Sequence, residues 1–439
     1  MRKLFCLFVL LWSVIPGFSQ ETEPCGTGSY IDFLESRNPG IRKHIDNQYH
    51  EAVKASKKHI HQHGKLEPLD TTYVINVVFH VVYKTEEQNV ADEHIIDQVR
   101  ILNEAYNRQN ADTVNTRDIF KPVAGNARIE FKLANVDPLG NPTNGITRRQ
   151  TVLNSFNASG TATLTDYVKR RATGGTDAWN TEKYLNIWVC NLNIGDMNAL
   201  FGYAFPPTGA DFWDNNSFRD ANRQGVVLHY ETVGTNNPAQ LDPTNFTNEK
   251  TAIHEVGHFL GLRHTWGDSR FNGCGVDDFI DDTPNSRAAS RGCPIGANTC
   301  PGDTFPDQVE NYMDYGSAEC SNMFTEQQVG VMRYNLVNLR PGLAQEVISY
   351  KPEPPANELI VISNPINDQL TLYWSETDND VAILHLYNYL GQEVFTQVKR
   401  SGVHVITFDN IDLADGFYHA VVTSGFKTVL EQPVLKVTP

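Results

Sequence analysis

The stretch His254-Glu255-Val256-Gly257-His258-Phe259-Leu260-Gly261-Leu262-Arg263-His264 constrains this chain more than any other. Residues four apart on a helix share a face, so His254 and His258 can reach one metal ion. Glu255 comes one position on, where a general base would stand. Gly261 lets the helix stop and the backbone turn, which brings His264 round as a third ligand. Three protein ligands leave the fourth position of a zinc ion open to water, the catalytic arrangement rather than the structural one. Such a helix must be buried to hold its ligands rigidly. Ala252, Ile253, Val256, Phe259, Leu260 and Leu262 give it the apolar surface to do so, and Thr247 and Asn248 are its expected N-caps. The two-histidine part alone would arise by chance in roughly a few per cent of chains this long and this rich in histidine; Gly261 and His264 at fixed offsets cut that about four-hundred-fold.

The chain has 439 residues, enough for two or three folded units. Arg2 and Lys3, the apolar run Leu4 to Ile15, and a small and polar segment to Gln20 read as a secretory signal peptide, residues 1–20. The run is too short to span a bilayer and no later stretch is long enough, so no transmembrane anchor is expected. A formal net charge of −16, from 52 acidic and 36 basic residues, argues against nucleic acid or an anionic membrane as partner. Export permits disulfides. Of the 7 cysteines, Cys6 belongs to the signal, and Cys274, Cys293, Cys300 and Cys320 cluster after the motif as two bridges. Three pairings are possible and the residues alone do not choose. Cys190 ends an apolar strand pattern and reads as a buried free thiol, which leaves Cys25.

Residues 21–62 are polar, with a helix expected from Asn47 to His63; the segment would not make a core alone and reads as a pro-segment leaning on another domain. Residues 63–348 alternate strands and helices. Tyr73 to Tyr83 is a nearly continuous apolar strand, as in a covered sheet. A helix capped by Asp92 follows, with Ile95, Val99, Leu102 and Tyr106 on one face. Strands are expected at 127–136, 185–190, 201–205 (an edge strand, ended by Pro206-Pro207) and 225–230, and a helix at 324–339. This is an α/β sheet domain. Residues 349–357, with Lys351-Pro-Glu-Pro-Pro355, form a stiff linker. Residues 358–439 hold only short strands and turns, a small β-sandwich.

The long histidine motif resembles the signature of metzincin metalloproteases, which also need a methionine turn. Asn311-Tyr312-Met313-Asp314-Tyr315-Gly316 offers one, and the Tyr315 phenol can donate a hydrogen bond to an oxyanion. Together with Thr265-Trp266, Cys274 and Asp281-Asp282-Thr283-Pro284, these residues resemble the pappalysin family. The resemblance covers about residues 21–345. It implies a zinc endopeptidase acting on proteins and peptides, with His254, His258 and His264 as ligands and Glu255 as base. It implies a twisted mixed sheet with backing and active-site helices, in two subdomains around a cleft. It implies the bridges Cys274–Cys300 and Cys293–Cys320, and calcium bound by Asp277, Asp278, Asp281 and Thr283, a loop rich in oxygen ligands. It places Glu319 in the S1′ pocket, to pair with a basic P1′ side chain. Cys25-Gly26 resembles the family's cysteine switch, a thiolate that takes the open zinc position. Cleavage among Lys54, Lys57, Lys58 and Lys65 is then expected to release it.

The tail, with Asn364-Pro365, Leu386 to Val394 and Leu413 to Tyr418, resembles the C-terminal sorting domain of the type IX secretion system of Bacteroidetes. That implies the secretion machinery as a partner and a secreted or cell-surface product. Two other readings stand beside this one. The chain could be a non-catalytic adhesin on a metzincin scaffold, against which the intact Glu255 argues. It could also be a metzincin of another subgroup, against which the cysteine spacing argues.

Overall fold

The computed structural model describes residues 24–63, 71–156, 166–192, 200–208, 223–239, 249–268, 273–302 and 305–344, and in the C-terminal part 359–361, 364–366, 368–374, 381–400, 405–424 and 427–437. The expected signal peptide, the Pro-rich linker and the N-caps Thr247 and Asn248 lie outside these residues.

The chain opens with two helices, α1 (Thr27–Arg37) and α2 (Ile41–His63). The polar composition of this segment led to one helix being expected, from Asn47. In α1 the apolar side chains Tyr30, Phe33 and Leu34 stand at helical spacing and are all buried. The period is present but diluted by Gly28, Ser29 and Asp32, because the helix buries one narrow stripe on another part of the molecule.

Then come β1 (Tyr73–Tyr83), α3 (Asp92–Tyr106), β2 (Ile129–Leu133), β3 (Ile146–Gln150), β4 (Leu185–Cys190), β5 (Gly202–Ala204), β6 (Val226–His229), α4 (Lys250–Phe259) and α5 (Glu326–Asn338). The sheet order is β2-β1-β4-β6-β5, with β3 beside the second half of β1. All pairs are parallel except β5 with β6. Successive residues of β1 point to opposite faces. Ile75, Val77, Phe79 and Val81 meet α3 and α4 in one core. Val82 joins Trp188, Cys190, Tyr203 and Val227 in a second core on the other face, which Tyr30, Phe33, Leu34, Ile41 and Ile45 of α1 and α2 complete. Tyr49, Ala52 and Val53 of α2 enter the first core, where α2 packs on α5.

One local expectation fails, and one strand was not expected. Asp92 is the first helical residue rather than the cap, and Ala91 is the N-cap. The Asp92 carboxylate is instead drawn to Arg148 of β3. Strand β3, Ile-Thr-Arg-Arg-Gln, carries too little apolar period to be legible, and its ladder to β1 defines it. Helix α5 starts at a capping box: Thr325 Oγ1 accepts the N–H of Gln328, and the Gln328 side chain accepts that of Thr325.

The C-terminal part consists of β7 (Leu359–Val361), β8 (Leu370–Trp374), β9 (Val381–Tyr387), β10 (Glu393–Arg400), β11 (Val405–Phe408), β12 (Gly416–Ser424) and β13 (Lys427–Lys436). They form a four-stranded sheet, β10-β9-β12-β13, and a three-stranded one, β11-β8-β7, all antiparallel. Leu370, Leu372, Ala382, Leu384, Leu386, Ile406, Phe408, Ala420 and Val422 make the shared core of this small β-sandwich.

Candidate active site

Helix α4 carries His254 and His258 one turn apart. It ends because Gly261 adopts a left-handed backbone (φ +95°), where a Cβ would lie 2.1 Å from Asn335 Nδ2. The reversed chain returns His264 to the same point. The Nε2 atoms of the three histidines stand 3.1 to 3.2 Å apart. Ligand nitrogens at zinc distance on a tetrahedron would be about 3.3 Å apart, so this donor set fits a zinc ion.

Each imidazole is held from behind. His254 Nδ1 meets the Tyr312 carbonyl at 2.7 Å, His258 Nδ1 meets the Leu262 carbonyl at 2.8 Å, and His264 Nδ1 meets the Asp268 carboxylate. Acceptors at Nδ1 keep the proton there and leave Nε2 with its lone pair inward. Burial, then the neighbouring histidines, pushes His254 well below the ordinary range, and burial pushes His258 down to about 3. Both are neutral at neutral pH, as ligands must be.

Met313 is fully buried beneath α4, and a Cβ on Gly257 would lie 2.6 Å from its Sδ. This close approach explains the glycine between Val256 and His258. The Asn311 side chain holds the turn, accepting the N–H of Met313 and binding the Gln328 amide. Tyr315 is 7% exposed, with its ring 4.9 Å from that of His264 and 4.7 Å from that of Trp266.

Cys25, just ahead of α1, enters this cluster. Its Sγ and one nitrogen of each histidine lie within 4.8 Å of one another, and all four residues are buried. The segment reaches the site as a short parallel bridge to the edge strand β5. Phe201 N–H donates to Pro24 O (2.8 Å) and Gly26 N–H to Gly202 O (2.8 Å). Thr27 then takes a double role: its hydroxyl donates to Glu255 Oε2 (3.1 Å) and accepts from Ala204 N–H (2.9 Å). Glu255 is 1% exposed, and burial pushes its carboxyl up to about 7 against the hydrogen bonds from Cys25 and Thr27.

The disulfides pair Cys274 with Cys300 and Cys293 with Cys320, and Cys190 is a buried free thiol. The remaining expected residues are less concentrated. Asp278 is buried, with Oδ1 bound to Ile280 N–H and the Thr283 hydroxyl. Asp281 is exposed and pairs with Lys57 of α2 at 2.6 Å, and Asp277 caps Phe279 N–H. Among the described residues, no three carboxylates of this loop converge. Glu319 is exposed beside the Cys293–Cys320 bridge and accepts from the Ser317 hydroxyl. It is not among the residues lining the cavity next to Glu255, which include Lys250, Thr251, His254, Asp314, Ala318 and Ser321. Composition and spacing did not reveal Thr27, Trp266 or Asp268. Thr27, two residues after Cys25, and Asp268, four after His264, could have been found as polar groups at fixed offsets from the motif residues.

A mixed sheet with an antiparallel edge strand, a buried histidine helix and a methionine turn beneath it define a metzincin metallopeptidase. The peptidase family M43 model, described as pregnancy-associated plasma protein-A, matches residues 172–337, and a secretion system C-terminal sorting domain matches residues 361–436. Mature mirolysin of Tannerella forsythia in complex with a cleaved peptide is 42% identical, covering 63% of this chain and 97% of that one, with a TM-score of 0.56. A promirolysin mutant of the same organism is 37% identical, covering 73% and 96%, with a TM-score of 0.61. An extracellular metalloprotease of Verticillium alfalfae is 33% identical over 264 residues, 58% of this chain and 73% of that protein. The chain belongs to the pappalysin family of metalloendopeptidases and is an extracellular enzyme with a C-terminal sorting domain. No helix among the described residues is long and apolar enough to cross a membrane. The adhesin reading is thereby set aside.

Proposed function

We propose that this chain is a zinc-dependent endopeptidase made in a latent form. The observation that carries the reading is the convergence of three Nε2 atoms at 3.1 to 3.2 Å beside the buried carboxylate of Glu255. Zinc held by His254, His258 and His264 would supply a Lewis acid and a water of lowered pKa. Glu255 takes the proton from the attacking water and returns it to the leaving amine. The Tyr315 hydroxyl donates to the oxyanion. Substrate lies extended along β5 and adds a strand through main-chain bonds. Replacing Glu255 by Gln in the activated enzyme is expected to cut hydrolysis of a quenched peptide at least ~1000-fold while one zinc per chain remains bound. Undiminished hydrolysis would sink the mechanism.

Latency is assigned to Cys25 and Thr27 together. Cys25 would supply a fourth donor to the zinc beside the three histidines, and Thr27 occupies the base and the β5 amide that substrate needs. The longer reach of the match to the pro-form supports this reading. The domain limits follow: pro-segment 21–62, catalytic domain 63–348, sorting domain 358–439. Lys54 and Lys57 lie on α2, so cleavage there requires the helix to unwind locally. The Cys25→Ser chain is expected to cleave peptides without processing. Full latency in that variant, with zinc bound, would remove the switch.

Asp314 in the cavity lining supports a basic P1′ residue, because Lys250 is already neutralised by Asp112 at 2.5 Å. Mapping cleavage sites in a denatured protein mixture tests this: bonds preceding Arg or Lys should dominate. A structural calcium ion in the Asp277–Thr283 loop is supported by Asp278 Oδ2 and Asp282 Oδ1, both buried without partners. Calcium added to the zinc-loaded, calcium-free enzyme should raise its melting temperature by several degrees. The sorting domain's partner is the type IX secretion machinery, and a chain lacking residues 358–439 should stay inside the cell.

A further inference from the structure

The three histidines are backed unequally. His254 and His258 lean on main-chain carbonyls, which no side-chain change in those acceptors removes. His264 alone leans on a side chain, the carboxylate of Asp268. The two residues are joined by a short turn closed by a hydrogen bond from Gly267 N–H to His264 O (2.9 Å). Gly267 and Asp268 both have left-handed backbones, at φ +77° and +57°. Aspartate and asparagine are among the few side-chain-bearing residues that accept this conformation readily. Successive left-handed residues fold the chain back, which returns the Asp268 carboxylate to the ring it follows.

The turn is itself braced from outside. A Cβ on Gly267 would lie 2.4 Å from Asp277 O and 2.6 Å from Asp277 C, so the turn packs directly on the main chain of the acidic loop. That loop is clasped by the pro-segment. The Tyr49 hydroxyl binds Asp278 O, Lys57 pairs with Asp281, and His50 packs edge-on against Phe279 with centroids 4.8 Å apart. A continuous path of contacts thus runs from α2 through the acidic loop and Gly267 to Asp268 and His264. Trp266 closes the other side, stacked flat on the His264 ring at 4.3 Å.

We propose that Asp268 is a positioning residue for the metal site: it fixes the tautomer and ring plane of His264, and the acidic loop holds it in place through Gly267. This rests on the reading of His264 as a zinc ligand. A carboxylate behind a ligating imidazole makes that imidazole a better donor and prevents the ring from turning away. Of the three ligands, His264 also lacks the support of a helix, so it has the most to lose from losing its backing. Asp268 touches neither substrate nor reacting atoms and acts through His264.

The test is zinc retention by the intact full-length chain, measured as the rate of zinc release into excess chelator. Asp268→Asn keeps the shape and the left-handed preference but removes the charge. Asp268→Ala removes the acceptor as well. Zinc release is expected to quicken about 10- to 100-fold in Asp268→Asn and further in Asp268→Ala. Gly267→Ala, which pushes the turn off Asp277, should quicken release with Asp268 unchanged. The melting temperature of the zinc-free Asp268→Asn chain should equal that of the zinc-free parent, which a merely structural role would not give. Cobalt substitution adds a signature: the visible spectrum of the Asp268→Asn chain should shift as the His264 donor changes. Release from Asp268→Asn at the parent rate overturns the proposal, and so does a zinc-free chain melting lower in step with zinc loss. If the parent itself holds no zinc, the ligand reading fails instead, a separate outcome.

Discussion

The catalytic module is folded in two ways. The described residues of 71–259 are held by apolar burial: a sheet whose strands β1, β4 and β6 are almost wholly covered, with α3, α4 and the middle of α2 on one face and α1 and the start of α2 on the other. Residues 260–325 contain no helix or strand of the kind that orders the first region, among the described residues. Beside a few side chains they lend to the main core, among them Leu262, Ile280 and Met313, they are held by two disulfides and by side chains that stand in for secondary structure. Asp314 Oδ1 accepts the N–H groups of Ser290 and Tyr315, Asp307 accepts that of Thr299, and Arg117 reaches across to Glu310 and the Asp307 carbonyl. The metal site sits on the seam. Two of its histidines come from a helix that apolar packing fixes, and the third comes from the region that disulfides and polar ties brace. A site of this kind needs both parts folded, but the parts answer to different perturbations.

That contrast can be broken in graded ways. Phe79, fully buried in β1, is the harshest probe of the first region. Phe79→Ala should cost about 3–5 kcal/mol, read as a lower denaturation midpoint for the whole module. In the second region the expected loss is smaller and more local. Removing the 26-residue Cys274–Cys300 bridge with paired serines should cost about 3–4 kcal/mol on loop-entropy grounds. Far-ultraviolet circular dichroism should barely change, because almost no regular structure is lost, while peptidase activity falls. A large loss of dichroism would show that the two regions fold as one.

Acid provides a third probe. The buried His80 side chain of β1 lies between Thr147 Oγ1 and Asn186 Oδ1, and burial lowers it to about 4, against upward pulls from the Asn186 hydrogen bond and then Asp177. The unfolded chain therefore binds the proton first as pH falls. Stability should drop between about pH 6.5 and 4 by at most ~3 kcal/mol and level off below, and a His80→Gln chain should lack that step. The smallest effect belongs to the surface pair Lys57–Asp281, whose loss should cost less than ~1 kcal/mol.

The same division decided what the sequence could reveal. Strand β1 was legible to the residue, because eleven residues of buried strand leave a continuous apolar run. The histidine helix was legible because metal chemistry fixes spacing. The weakly patterned α1 and β3 were not, since each is defined by what it lies against. In the second region little was legible locally: no periodicity announces a chain held by side-chain to main-chain bonds. There the family resemblance supplied the disulfide pairing that spacing left open. The expected calcium ligands and Glu319 belong to this region too, and they stand dispersed or exposed because loop position is set by partners far away in sequence. Thr27 and Asp268 escaped notice for a related reason. Each is an ordinary polar residue whose role appears only when Glu255 or His264 is brought beside it.

The short bridge between Cys25 and Gly202 has a consequence for the edge of the sheet. Strand β5 is the open margin of the sheet, and an open margin is where one chain can zip onto another and start to aggregate. Pro24, Gly26 and Thr27 meet the main-chain groups of residues 201, 202 and 204 in advance. With its main-chain groups met in this way, this edge of the sheet offers less to a second copy of the chain.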